Sequence, residues 1–586
     1  MNTTAKIKFL GGIGTVTGSC TAIEFTNETG THLYLVDIGE FQGEACNTLG
    51  RDWLAKNAKH VEGIFITHAH YDHVGHLPEL VMEHGFSGKV YCREVTKELM
   101  TEILTDSLKI KGIKKYNINE VYAKISFNFM DSNIRGKFCP LGDGFKVSII
   151  NSAHILGSTG YVFGWLIDGK WENVTFSGDI GPSCDLSYSN ILLKEFQNPF
   201  LSQTGKHHIV LESTYGDRIR ENKADLFERR INKLIEIIKD AWENKKPVLI
   251  PAFALNRSQE ILLDLYYIQN NFWNEFYFKD FCNRTTKLIN LIGGFTKNHK
   301  NMAKQYIMDI CKNNFSQEED YWEIQICDLP ENMKADIYKV FKKYSIHHCS
   351  MNVKIYSTLM SKINKIYKKH ILRSFPKKNG MIGFEYLPKI FFEKFGISNL
   401  SDEEKLRQAQ EIIHNFLGNI KELQNVDKSD NFFQLIISSS GMCDDGKVME
   451  LLKKFLPNEN AIVLLTGYQA KNTNGLHLKN MHNYQNNEKL ATELHNLSGL
   501  RLSDVKCAII DMSEFYSGHA DQDMLYRYVK GGEIINEDQT NVFLQHGTNE
   551  QRNALKERLK TAKNVTVEIP MNMCWYNLNT GEQNQD

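Results

Sequence analysis

Three histidines and one aspartate lie within six residues in Thr67-His68-Ala69-His70-Tyr71-Asp72-His73. Neutral imidazole plus carboxylate is the donor set that suits zinc and neighbouring divalent metals. The preceding run Val61-Glu62-Gly63-Ile64-Phe65-Ile66 is apolar and β-rich, which places the cluster at the end of a buried strand. Alternate residues of an extended segment point to the same side, so His68 and His70 can face one metal together. Asp72 and His73 lie just beyond and can turn toward a second. A chance surface cluster is the alternative, but the flanks are as ordered as the cluster: a strand before it, Gly75-His76-Leu77-Pro78-Glu79-Leu80 after it.

So short a ligand run needs partners from elsewhere. Asp37 ends the apolar run Tyr34-Leu35-Val36, His154 follows the strand pattern Phe145–Ile150, and Asp179 ends Phe176-Ser177-Gly178. His-x-His-x-Asp-His followed by Gly-His-Leu-Pro resembles the metal motif of metallo-β-lactamase-fold hydrolases, and these three residues stand in the order that family uses. The fold implied is α/β, a four-layer αββα sandwich.

Many members of that family complete their ligands shortly after the Ser-Gly-Asp element. Here nearly three hundred residues of α/β pattern intervene before Tyr516-Ser517-Gly518-His519-Ala520-Asp521 and Leu544-Gln545-His546-Gly547. With Leu211-Glu212-Ser213-Thr214-Tyr215-Gly216, these elements resemble the motifs of the β-CASP ribonucleases, typified by RNase J and by the endonuclease of eukaryotic pre-mRNA 3′-end processing. Pro251-Ala252-Phe253-Ala254-Leu255-Asn256-Arg257, Ser440-Gly441-Met442-Cys443 and Thr466-Gly467-Tyr468-Gln469-Ala470 are similar to connecting signatures of compact bacterial members. Three positions depart from the usual pattern: Asn256 stands where glycine is usual, Thr548 where an acidic residue often follows His-Gly, and Pro182 where an arginine usually follows Asp-Ile-Gly.

The resemblance implies a zinc-dependent, two-metal hydrolysis of RNA phosphodiester bonds, with manganese as the alternative metal. His68, His70 and His154 would hold one zinc, Asp72, His73 and His546 the other, and Asp179 would bridge them. Asp37, grouped with the catalytic residues, would hold a ligand histidine or the attacking hydroxide. Glu212 and His519 would form an acid pair, His519 protonating the leaving oxygen, since a carboxylate raises the pKa of an adjacent imidazole. Arg257 and the turn Ser440-Gly441 are the candidate substrate contacts, because glycine-turn amides cradle phosphate. A histidine at position 546 goes, in that family, with RNA rather than DNA. A DNA nuclease, another metallo-hydrolase of the fold and a non-catalytic scaffold of a processing complex remain the alternatives. His76, His477, His207 and His208 have no ligand partners in the pattern and read as structural.

The elements that must position these residues divide the chain. Residues 1–210 read as the N-terminal part of a metallo-β-lactamase domain, 211–500 as an inserted β-CASP α/β domain with a parallel sheet, and 501–586 as the return of the first domain, starting with Val505–Ile510. A helix is expected over about Lys223 to Asn244. Residues 266–350 are aromatic and Lys/Asn-rich and read as an insertion; Gly581–Asp586 read as a frayed tail.

Bulk properties exclude several classes. With 69 Lys and Arg against 70 Asp and Glu the net charge is −1, so no uniformly basic nucleic-acid coater is present, and contact with RNA must come from a local groove. Twelve cysteines without Cys-x-x-Cys spacing point to a reducing compartment. The absence of a signal pattern in Met1–Lys6 and of a long apolar run sets the expectation of a cytoplasmic protein without membrane contact. A homodimer or a processing-complex partner is compatible with the sequence.

Overall fold

A computed structural model describes the chain apart from residues 1, 42–47, 131–134, 183–190, 200–204, 221–224, 274–296, 298–300, 302–350, 377–381, 419, 424–432, 484–490, 532–539 and 586. Most of the expected insertion at 266–350 therefore lies outside the described residues. One compact unit comprises Met1–Ile261 and Lys354–Asp586; a second, Leu262–Val353, is described over few residues, the first of which continue the helix Arg257–Ile268.

Two sheets draw their strands from both ends of the large unit. An eight-stranded sheet runs in the order Gln583–Gln585, Cys574–Asn577, Thr4–Phe9, Thr21–Asn27, Gly30–Val36, Val61–Phe65, Lys89–Cys92, Ser126–Phe129. A seven-stranded sheet runs Val565–Glu568, Thr540–Gln545, His207–Glu212, Lys170–Phe176, Thr159–Ile167, Phe145–Asn151, Cys139–Gly142. Their inner faces share one core. Ile7, Phe9, Ile23, Phe25 and Phe65 from the first sheet meet Phe145, Phe163, Trp165, Phe176 and Phe543 from the second. Phe25 stacks on Phe145 at 4.7 Å, and Phe65 meets Phe163 edge-on at 4.8 Å. Alternation then sends Ile150, Val162, Ile209, Leu211, Val542 and Leu544 to the outer face. There they pack on Met524, Leu525 and Tyr528 of helix Gln522–Lys530 and on Leu555 and Leu559 of helix Asn549–Leu559. This is the αββα sandwich of the metallo-β-lactamase fold.

The third sheet has six strands in the order Lys421–Glu422, Val353–Tyr356, Gln434–Ser438, Pro247–Pro251, Ile462–Leu465, Ala508–Asp511. Pro247–Pro251 pairs in parallel with both Gln434–Ser438 and Ile462–Leu465. The expected parallel α/β insert is thus present. The expected helix forms over Leu226–Glu243, its buried stripe running through Leu226, Ile231, Leu234 and Ile238. Ile237 joins that stripe, and Ile235 beside it is half-buried.

Two expectations change. Ala508–Asp511 does not return to the first sandwich: it pairs in parallel with Ile462–Leu465 as the edge of the six-stranded sheet. An apolar run reads alike in either sheet, and only pairing decides between them. The C-terminal residues are not a frayed tail, because Gln583–Gln585 pairs antiparallel with Cys574–Tyr576 and extends the eight-stranded sheet. Polar residues suffice for an exposed edge strand, so composition gave no sign of it. No helix among the described residues is long and apolar enough to cross a membrane.

Candidate metal centre and acid pair

The centre sits where strands of both inner sheets end. Val61–Phe65 delivers His68 and His70, then a short helix, Tyr71–Val74, carries Asp72 and His73. Phe145–Asn151 leads to His154 and Lys170–Phe176 to Asp179. Parallel pairing of His207–Glu212 with Thr540–Gln545 sets Glu212 opposite Gln545, so Glu212 and His546 emerge side by side.

The side chains form two groups. His68 Nε2 and His154 Nε2 each stand 3.0 Å from His70 Nδ1. In the second group, His546 Nε2 stands 3.3 Å and His73 Nε2 3.9 Å from Asp72 Oδ2. Asp179 lies between the groups. Its Oδ2 is 3.7 Å from Nε2 of both His68 and His154, while its Oδ1 is 3.4 Å from His73 Nε2 and 3.3 Å from His546 Nδ1.

The donor set fits divalent metals. Burial, reinforced by neighbouring imidazoles, holds His68 and His154 well below the usual imidazole range. Burial likewise brings His70 down to about 4, against the pull of Asp72 and Asp179. These histidines are neutral and offer lone pairs. Burial alone would raise Asp179 and Asp72, but the imidazoles of His546 and His73 outweigh it and keep both carboxyls ionised, Asp72 at about 2. The Nδ1 atoms of His68 and His154 are bonded to Thr67 Oγ1 and the Gly518 carbonyl, so their Nε2 lone pairs converge with His70 Nδ1 and could hold a cation. His73 Nε2 and Asp179 Oδ1 are also buried without a hydrogen-bond partner.

The surrounding bonds fix the ring orientations. Asp37 accepts from the Thr67 amide at 2.7 Å and hydroxyl at 2.8 Å, and from His73 Nδ1 at 2.7 Å. Of the two roles expected for Asp37, holding a histidine is the one its hydrogen bonds fit. His154 Nδ1 donates to the Gly518 carbonyl at 2.6 Å, which turns its Nε2 toward the centre. Thr214 Oγ1 lies 3.0 Å from His546 Nδ1. Thr67, Thr214 and the Gly518 carbonyl are contributors that the sequence reading missed. Thr214 sat inside a quoted motif, but nothing in one sequence marks a hydroxyl as a ring partner.

Strain accompanies this packing. Asp37, Ala153 and His546 hold φ of 60°, 60° and 54°, a left-handed conformation costly for residues with a Cβ. Gly178 explains its motif: at φ 57°, an added Cβ would stand 2.8 Å from Thr67 Cβ.

Glu212 and His519 meet beside the first group. His519 Nδ1 lies 3.2 Å from Glu212 Oε1, and its ring is 4.6 Å from that of His154. Glu212 also accepts from the Ile180 amide at 2.7 Å and the Thr214 amide at 3.1 Å. Burial lowers the His519 pKa, but the charge and hydrogen bond of Glu212 overcome this and raise it on balance.

The candidate substrate contacts stand differently. Arg257 is buried, ion-paired with Glu260 and 5.2 Å over the Tyr516 ring. In the Ser440 turn, the Ser440 amide donates to the Asp445 carbonyl and the Met442 amide to Ser440 Oγ, both at 3.4 Å, so these two amides already have acceptors. Asn256 holds φ 70°, the reason glycine suits that position, and asparagine tolerates it. His207 and His208 are buried in their strand, held at about 3 mainly by burial, and stand apart from the centre. His76 is buried, 3.7 Å from Glu40 Oε2.

Comparison with known proteins agrees with this architecture. Residues 335–478 match the Beta-Casp domain, and residues 503–570 match the Zn-dependent metallo-hydrolase RNA specificity domain. Residues 10–212 match the model of the anti-Pycsar protein Apyc1. Ribonuclease TTHA0252 of Thermus thermophilus is 31% identical over 236 residues, 40% of this chain and 49% of that protein. RNase aCSPSF2 of Saccharolobus solfataricus is 31% identical over 234 residues, 39% of this chain and 42% of that protein. Endoribonuclease YSH1 of Saccharomyces cerevisiae is 25% identical over 286 residues, 47% of this chain and 33% of that protein. The chain thus matches about half or less of these relatives' own lengths. Two stretches of the chain thus match a Beta-Casp domain and a Zn-dependent metallo-hydrolase domain, and its His/Asp cluster is suited to metal.

Proposed function

We propose that this chain is a ribonuclease that hydrolyses RNA phosphodiester bonds with two zinc ions, manganese being the alternative metal. The observation that carries this reading is Asp179, whose two oxygens face two separate donor groups, His68/His70/His154 and Asp72/His73/His546. Zinc bound by these donors supplies charge neutralisation for the phosphate and a strong nucleophile at neutral pH. Asp37 keeps Nε2 of His73 turned inward, and the Gly518 carbonyl does the same for His154. Glu212 holds His519 by Nδ1, leaving Nε2 to give a proton to the departing oxygen. Arg257 and the turn Ser440-Gly441 would contact the RNA backbone.

In this reading the metallo-β-lactamase domain runs to about residue 212 and resumes after Asp511, with the β-CASP domain between and an insertion at 266–350. RNA is the partner, in the cytoplasm, with a second copy or a processing complex as further company. The ribonuclease names of the relatives support the choice of RNA. The test is zinc stoichiometry together with cleavage of labelled RNA and DNA of one sequence. Two zincs and RNA cleavage are expected. Absence of both bound zinc and bound manganese would remove the enzymatic reading, and preference for DNA would make the chain a DNA nuclease.

A further inference from the structure

The loop that carries His154 leaves the sandwich strand Phe145–Asn151 and is held by residues of the inserted α/β part. Asn256 lies past the strand Pro247–Pro251 of the six-stranded sheet, immediately before the helix Arg257–Ile268. Tyr367 lies on the helix Thr358–His370. Asn256 Nδ2 donates to the His154 carbonyl at 3.3 Å. The Tyr367 hydroxyl donates to Asn256 Oδ1 at 3.1 Å and accepts from the Leu156 amide at 3.4 Å. These bonds form a bridge that starts and ends on the backbone of one loop, at residues 154 and 156. Asn256 Nδ2 also stands 3.3 Å from Glu260 Oε1, so both polar atoms of the side chain are used. His154, Asn256 and Tyr367 are all buried, so water does not take over a bond that is lost.

The loop is one that needs holding. Ala153, next to His154, has φ 60°, and such a backbone persists only where its surroundings enforce it. Within the loop, the His154 and Ile155 amides donate to Ser158 Oγ at 2.9 and 3.3 Å. The His154 carbonyl and the Leu156 amide are the groups that Asn256 and Tyr367 take up. Glycine at position 256 would meet φ 70° at no steric cost but would bring no amide. Asparagine there adds a bond to the backbone of a metal-facing histidine. We propose that Asn256 and Tyr367 are positioning residues for His154, tying the donor group His68/His70/His154 to the seat of the inserted α/β part on the sandwich. The proposal rests on the two-metal reading of that site and adds two residues, neither of them a ligand, that set its zinc affinity.

The test measures the two zinc dissociation steps of the full chain by competition with a chelator. Asn256→Gly keeps the backbone conformation and removes only the side-chain bonds. It should weaken one zinc step about tenfold, the lower end of the range for losing a partner behind a ligand, and leave the other within about twofold. Tyr367→Phe keeps the ring and should give a similar loss. The double variant should lose little more than either single variant, because the bridge is already broken at one point. In the cobalt-substituted protein, Asn256→Gly should also change the visible absorption of one of the two ions, which a general loss of stability would not do. Asn472→Gly, at an exposed asparagine with φ 64°, serves as the control and should leave both steps unchanged. Unchanged zinc steps in Asn256→Gly, or equal weakening of both, would overturn the positioning role while leaving the ribonuclease reading intact. A wild-type chain that holds two zincs but cleaves no RNA would overturn the ribonuclease reading alone, and one that binds no metal would overturn both.

Discussion

Nδ1 of His519 lies 3.2 Å from Oε1 of Glu212, across 307 residues of chain. The carboxylate is held on its other sides by two amides, of Ile180 and Thr214, so it cannot swing away from the imidazole. A histidine so held presents one nitrogen to the substrate and keeps its proton more readily than a free imidazole. This pair borders the metal centre without belonging to either donor group, and that separation gives the two parts distinguishable tests.

His519→Ala should retain both zincs and cleave RNA about 10²- to 10⁴-fold more slowly, the range for loss of a general acid. The defect should shrink on a nitrophenyl phosphodiester, whose leaving group needs no proton. Equal losses on the two substrates would refute the acid role.

Asp179→Ala should abolish hydrolysis, because among the described residues Asp179 is the carboxylate whose two oxygens face the two donor groups. Turnover is compared with metal content in the same preparation. A variant retaining a tenth of wild-type turnover with normal zinc would show that Asp179 is not the bridge.

His546→Ala should lower zinc from about two toward one per chain, since the other group keeps three histidines and Asp179. RNA cleavage should fall with the lost ion. Metal analysis after dialysis decides the matter: two tightly held zincs would mean that His546 is not a ligand.

Asp37→Asn should weaken zinc affinity about 10- to 100-fold, the usual cost of losing a carboxylate behind a ligand histidine. Asparagine can still accept from Thr67, but it no longer enforces the His73 ring orientation. Competition with a chelator reads this directly. Unchanged affinity would assign the His73 orientation to packing alone.

Gly178→Ala should destabilise the chain by about 1–3 kcal/mol, combining a left-handed backbone with a contact to Thr67 Cβ. Thermal unfolding of the zinc-free protein measures this apart from metal loss. A melting temperature equal to wild type would show that Thr67 gives way without cost.

The sequence alone determined the local chemistry. His68, His70, Asp72 and His73 fall within one strand end and one short helix, where residue spacing by itself dictates direction. The acidic and histidine elements at Asp37, His154, Asp179, Glu212, His519 and His546 were legible as motifs, and the alternation of strands and helices gave the fold class. Only the tertiary structure decided which of them meet. Glu212 and Gln545 become neighbours through parallel strand pairing, and one step of register would turn His546 to the other face. Pairing also sent Ala508–Asp511 to the six-stranded sheet and closed the C-terminal residues onto the eight-stranded one. The bonds that orient the rings, Thr214 to His546 and the Gly518 carbonyl to His154, join residues 332 and 364 positions apart. Such contacts leave no periodic trace in sequence, because a hydroxyl or a backbone carbonyl looks the same wherever the chain later brings it.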